Sequence, residues 1–140
     1  PDVEIVLHDT ALTDENAEEL IALYDLVIDG CDNFLTRYTV NDTCVKLSKT
    51  LVYGSILGFQ GQVAVFNHKG SKHLRHIFPE PPNAEDVPNC SDNGVLGVVP
   101  GVIGTLMANE ALKVILELPV KADVYHLVDL MDFRVTELRY

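Results

Sequence analysis

Positive charge is what this 140-residue sequence lacks most. Lys and Arg total 10 against 21 Asp and Glu, a formal net charge of −11. Binding a phosphate backbone needs a surplus of Lys and Arg, so nucleic acid is excluded as a partner. A basic membrane-surface patch is excluded for the same reason. The deficit is local: residues 1–36 hold ten acids and no Lys or Arg, whereas residues 37–140 hold eleven acids and ten bases. Cysteine is also scarce. Cys31, Cys44 and Cys90 form no Cys-x-x-Cys pair and no disulfide framework, which makes the cytoplasm the expected compartment. The longest apolar run, Gly94 to Ala108, is broken by Pro100 and Gly101 and stops short of a membrane span. The amino terminus shows no basic, signal-like segment. Internal repeats, low-complexity tracts and linkers are missing, so residues 1–140 are expected to form a single domain. The chain is 47% hydrophobic, too much for a disordered acidic tail.

The patterning that remains alternates between strand and helix. Val3 to Leu7 reads as a short strand. Thr13 can cap a helix over about residues 14–23 whose apolar face is Ala17, Leu20, Ile21 and Tyr24. Leu26–Val27–Ile28 reads as a buried parallel strand ended by Gly30. A helix over 34–47 follows, with Phe34, Tyr38, Asn41, Cys44 and Val45 near one face, then a strand from Leu51 to Ile56. This β-α-β-α-β succession predicts a right-handed, mostly parallel sheet. Gln60 to Phe66 follows with no room for a crossover helix, so it must pair antiparallel. The expected fold is therefore α/β: a partial Rossmann-like parallel sheet extended by antiparallel strands, with helices on both faces. Residues 67–96, with four prolines, read as a long polar loop. Residues 100–118 read as a helix apolar nearly all round, hence buried or in a subunit interface. Gly101, Gly104, Ala108 and Ala111 form a small-residue stripe along it that permits close packing against another backbone. Val124 to Leu130 and Phe133 to Arg139 read as a hairpin.

Three clusters could carry chemistry. Asp29–Gly30–Cys31–Asp32–Asn33 directly follows the apolar strand, and ligands in open α/β sheets bind at the carboxyl ends of strands. A carboxylate there can hold a magnesium ion that bridges nucleotide phosphates. Asp32 or Asn33 can equally cap the next helix, and the two roles can fall on different residues. Cys90 lies in the polar loop, where a cysteine can act as nucleophile or sulfur carrier, although the neighbouring acids would raise its thiol pKa. His73-x-x-His76 could supply half a zinc site, but His8, His68 and His126 are scattered, so a solvated surface pair is the expected reading. No Gly-x-Gly-x-x-Gly is present.

The run Tyr24 to Arg37, with Asp29, Asp32, Asn33 and Arg37, resembles the Asp-x-Thr-Asp-Asn-x-x-x-Arg signature of the ThiF/MoeB/HesA family. Asn41, Leu51 to Ile56, Gly58 to Gln62, Asn89–Cys90–Ser91, Gly94 to Leu106 and Asn109–Glu110–Ala111–Leu112–Lys113 continue the resemblance in order along the chain. It implies an ATP-dependent adenylyltransferase that activates the carboxyl terminus of a ubiquitin-like sulfur-carrier protein, for molybdopterin or thiamine biosynthesis. Asp32 matches the family aspartate near the ATP phosphates and magnesium. Cys90 matches the loop cysteine that can link to the carrier through sulfur, and is the implied catalytic residue. Members are commonly homodimers.

Two departures qualify what is expected. The family's Gly-rich loop and its phosphate-binding Arg and Lys are expected upstream of Pro1, so the chain reads as the carboxyl-terminal portion of the enzyme, inactive alone and binding neither ATP nor Mg tightly. Zinc-binding members carry two Cys-x-x-Cys pairs. Here His73 and His76 stand in place of the first, and no zinc is expected. The alternative reading is a short non-enzymatic module that dimerises or binds a partner through its apolar helix.

Overall fold

The computed structural model describes residues 2–83 and 94–140. The element order is α1 (Ala17–Ala22), β1 (Leu26–Asp29), α2 (Phe34–Lys46), β2 (Thr50–Leu57), β3 (Gln60–Phe66), a 3₁₀ turn (Leu74–His76), α3 (Val98–Ile115), β4 (Val124–Asp129) and β5 (Arg134–Arg139). The five strands form one sheet in sequential order. Only β1 and β2 pair in parallel, with Leu26 opposite Thr50 and Asp29 opposite Tyr53. The β2–β3, β3–β4 and β4–β5 pairs are antiparallel. Gly58 turns the β2–β3 hairpin at φ 58°, a conformation that costs glycine little.

Strand alternation builds a core on each face. Leu51, Tyr53, Ala64, Phe66 and Tyr125 face α1 and α2, where Ala17, Ile21, Tyr38 and Cys44 are buried against them. Val52, Val63, Val65 and Val128 face α3 and meet Val99, Ile103, Met107 and Ala111. The expected α/β fold with an antiparallel extension and helices on both faces is therefore observed.

Several local expectations are corrected. Val3 to Leu7 forms no strand: no pairing reaches it, and Val3, Ile5 and Leu7 are exposed. A strand needs a neighbour to satisfy its backbone, and the sheet is accordingly mostly antiparallel rather than mostly parallel. Helix α1 starts later than expected, because Asn16 folds back, accepting from the Thr13 N–H at 2.8 Å and donating to the Ala11 carbonyl. Thr13 contributes its carbonyl to that turn rather than a side-chain cap. Tyr24 lies beyond α1, exposed, with its hydroxyl 2.9 Å from His8. Phe34 is exposed rather than on the buried face of α2.

The loop expected over 67–96 contains the 3₁₀ turn, pinned where fully buried Leu74 donates its N–H to Asn41 Oδ1 at 3.0 Å. The histidine pair belongs to that turn: His76 is exposed, as a surface pair would be, and His73 is half-buried. The His73 N–H donates to His76 Nδ1 at 3.2 Å, and the rings meet edge to face 4.2 Å apart. Burial and the neighbouring His76 hold His73 below the usual histidine range.

Helix α3 is buried on one face only. Val98, Leu112 and Ile115 stay exposed on the other. With 18 residues it is long and apolar enough to cross a membrane by length and composition, which the broken run Gly94 to Ala108 did not suggest. Here it lies along the sheet. Pro100 sits in its first turn, where no intrahelical donor is lost. Of the small-residue stripe only Ala111 is buried against the sheet, and the close approach does not use the helix's own glycines: a Cβ on Gly101 or Gly104 would meet nothing within 4 Å. The sheet supplies the glycines instead. A Cβ on Gly54 would lie 2.1 Å from Met107 Sδ, and one on Gly61 2.2 Å from Ile103 Cδ1.

Candidate functional site

The carboxyl end of β1 runs through residues 30–33 into α2. Asn33 is the cap of that helix: its side-chain oxygen accepts the Thr36 N–H at 2.9 Å. That leaves Asp32 uncommitted. It is exposed, and its carboxylate meets only the Asn33 side-chain amide, at 3.5 Å. Among the described residues it joins no ion pair. An exposed, unpaired carboxylate at this end of a parallel strand is a group that could hold a magnesium ion. The described residues contain no group of three or more His, Cys, Asp or Glu placed to cage a metal.

Beneath the loop lies a buried charge pair. Asp29 is 3% exposed and Arg37 is 5% exposed. Asp29 Oδ1 accepts the Cys31 N–H at 2.9 Å, while its Oδ2 has no hydrogen bond and lies 3.9 Å from Arg37 Nη1. Arg37 Nη1 donates to the Gly54 carbonyl at 2.9 Å and Nη2 to the Cys31 carbonyl at 2.6 Å. The guanidinium sits 4.6 Å from the centre of the Tyr53 ring. One arginine from the first turn of α2 therefore ties the β1–α2 loop to β2. Burial and the Asp29 carboxylate push the Cys31 thiol up to about 12, and burial does the same for Cys44. Thiols raised in this way are mainly protonated at neutral pH, which argues against a nucleophilic role for either.

The sequence singled out Asp32 and its loop, and the structure keeps them together. Cys90 lies outside the described residues. Arg37, Tyr53 and Gly54 were not assigned roles from the sequence. A signal for Arg37 existed: it lies at i, i+4 and i+7 spacing with Asn41 and Cys44, both buried. An arginine on a buried helix face must have partners. That those partners are carbonyls of β1's loop and of β2 could not be read from spacing.

The model of the ThiF family matches residues 1–140. The chain is similar to the adenylyltransferase and sulfurtransferase MOCS3 of Culex quinquefasciatus, at 50% identity over 114 residues, 81% of this chain and 26% of that protein. It is also 50% identical over 121 residues to the sulfur carrier protein adenylyltransferase of Thermus thermophilus, covering 83% of this chain and 45% of that one. The fold is similar to E. coli MccB crystallised with ATP, with a TM-score of 0.73 at 10% identity over 93% of this chain and 41% of that chain. The chain thus spans 26% and 45% of the lengths of these two sequence relatives.

Proposed function

The chain belongs to the ThiF family, and from that premise we propose that it is part of an ATP-dependent adenylyltransferase. Its partner is a ubiquitin-like sulfur-carrier protein, made ready for molybdopterin or thiamine biosynthesis in the cytoplasm. The observation that carries this reading is the uncommitted Asp32 carboxylate, set at the end of β1 in a chain about 50% identical to proteins named as adenylyltransferases. In the proposed reaction a carboxylate oxygen at the carrier's carboxyl terminus attacks the α-phosphorus of ATP. Pyrophosphate leaves, and an acyl-adenylate remains. Asp32 would hold the magnesium ion, whose chemistry is to neutralise charge on the phosphate oxygens. Asn33 keeps the helix end closed so that Asp32 need not cap it. The rest of the phosphate-binding machinery is expected from the enzyme outside this segment, so neither ATP nor Mg is expected to bind these residues tightly alone.

Carrier-dependent exchange of pyrophosphate into ATP by the natural full-length protein tests this. Asp32→Asn is expected to lower the exchange rate by about a hundredfold or more, as losing one charge-stabilising group does. The melting temperature should not move, because the side chain is exposed. Unchanged exchange by the variant overturns the role of Asp32, and no carrier-dependent exchange by the wild type overturns the activity.

Cys90 is proposed to take the activated carrier through sulfur: its thiolate attacks the carbonyl of the acyl-adenylate, a thioester forms, and AMP leaves. Cys90→Ser should then spare pyrophosphate exchange and stop sulfur transfer, and intact sulfur transfer would remove Cys90 from the mechanism. The outer face of α3 supports a homodimer. Val98, Gly101, Val102, Thr105 and Leu106 line an apolar groove of about 410 Å³ there, and a second copy is proposed to cover it. The same face would serve a non-enzymatic dimerisation module, which the exchange assay separates from the enzyme.

A further inference from the structure

We propose that Arg37 is a positioning residue for the Asp32 carboxylate, acting through the backbone of the 30–33 loop and not on the substrate. The inference rests on the adenylyltransferase reading above. Asp32 has no side-chain partner that would orient it beyond the 3.5 Å contact with its neighbour's amide. Its direction is therefore set by its backbone, and that backbone is held from one side. Both polar backbone groups of Cys31, the residue before it, are taken by the buried pair: the N–H by Asp29 Oδ1 at 2.9 Å and the carbonyl by Arg37 Nη2 at 2.6 Å. Cys31 is thus held at both its N–H and its carbonyl, and that carbonyl belongs to the peptide that leads into Asp32.

Arg37 is itself immobilised. Its other terminal nitrogen is bonded to the Gly54 carbonyl, its flat face lies on Tyr53, and Asp29 stands beside it. Position is transmitted from β2, in the middle of the core, to a carboxylate at the surface. A lysine has a single charged nitrogen and no flat face. It cannot reach both carbonyls and lie on the Tyr53 ring at once. Lysine at this position keeps the charge and loses the clamp.

The test uses the natural full-length protein with its carrier. Arg37→Lys, Asp32→Asn and the double variant are compared by pyrophosphate exchange at varied Mg–ATP and by calorimetric titration of Mg–ATP. Arg37→Lys is expected to raise the Mg–ATP KM and Kd by about tenfold or more, in line with the cost of a misplaced site group. The carrier KM should stay at its wild-type value. In the Asp32→Asn background the same change should add nothing to the Mg–ATP Kd, because both variants remove one function. A merely structural arginine would lower the melting temperature and the active fraction and leave the Mg–ATP constants alone, and that result overturns the inference. So do independent, multiplying effects in the double variant. If Arg37→Lys fails to melt cooperatively, Asp29→Asn carries the test, since it keeps the shape and the oxygen that accepts from Cys31 but removes the charge beside Arg37. A wild-type Mg–ATP Kd in Asp29→Asn would then count against the inference. If Asp32→Asn binds Mg–ATP as the wild type does, the Asp32 reading fails and the positioning role falls with it. If Asp32→Asn weakens binding and Arg37→Lys does not, only the positioning role falls.

Discussion

Asp32 and Asn33 are adjacent, both suit a helix cap, and one of them caps. The amide of Asn33 takes the Thr36 N–H, and Asp32 keeps its charge for the surface. Spacing could name the pair but not divide the work, because the choice depends on the backbone angles of the loop. A second aspartate shows the opposite fate. Arg75 Nε and Nη2 donate to Asp42 Oδ1 and Oδ2 at 2.8 and 2.7 Å, joining α2 to the 3₁₀ turn. These bonds hold the Asp42 carboxyl below its usual range. Its folded pKa is lower than its unfolded one, so the pair stabilises the protein above about pH 3.9 and ceases to as pH falls through the lowered folded value. Both side chains are partly exposed, at 33% and 46%, so the pair is worth no more than about 1 kcal/mol. Arg75→Met is therefore expected to lower the melting temperature slightly at pH 7, with the difference from wild type narrowing below about pH 4 to what Arg75 contributes through the Pro79 carbonyl and the Tyr38 ring. Thermal unfolding across that range measures it.

Among the elements, α3 departs furthest from its sequence pattern. Its composition suits burial all round, yet only one stripe is covered, by β2 and β3. What lets a helix carrying Ile103 and Met107 lie so close to the sheet is the absence of side chains at Gly54 and Gly61 beneath it. Neither glycine has a positive φ, so each is needed for space and not for conformation. Gly61→Ala puts a methyl 2.2 Å from Ile103. The expected cost is about 1–3 kcal/mol, the range for overpacking a core. Adding Ile103→Val, which shortens the clashing side chain, should recover part of that loss. Urea denaturation of the wild type and the two variants reads it, and equal stability of Gly61→Ala and wild type would contradict the packing. The small-residue stripe of the helix was legible in the sequence, but the glycines that matter lie on strands, where nothing local marks them.

At the scale of the whole molecule, the outer face of α3 and the unpaired Val3–Leu7 segment both leave large apolar side chains exposed. A homodimer across α3 would bury Val98, Leu112 and Ile115, which are 59%, 56% and 64% exposed. Changing Leu112 and Ile115 together to Glu is expected to turn a dimeric natural protein into a monomer in sedimentation, with little change in the protomer's own melting, since neither side chain touches the core. A wild type that sediments as a monomer overturns the dimer. By itself the sequence determined the order of elements from β1 onward, the antiparallel turn after β2, the closing hairpin and the loop that bears Asp32. These rest on periodicity, turn residues and caps, which act within a few residues. Only the tertiary structure decided that Val3 to Leu7 stays unpaired, that α3 shows one face to the sheet and one to solvent, and that Arg37 holds the Cys31 carbonyl. Each of those turns on whether a partner is met in space: none for Val3 to Leu7, strands β2 and β3 for α3, and the preceding loop for Arg37. Local pattern carries no record of it.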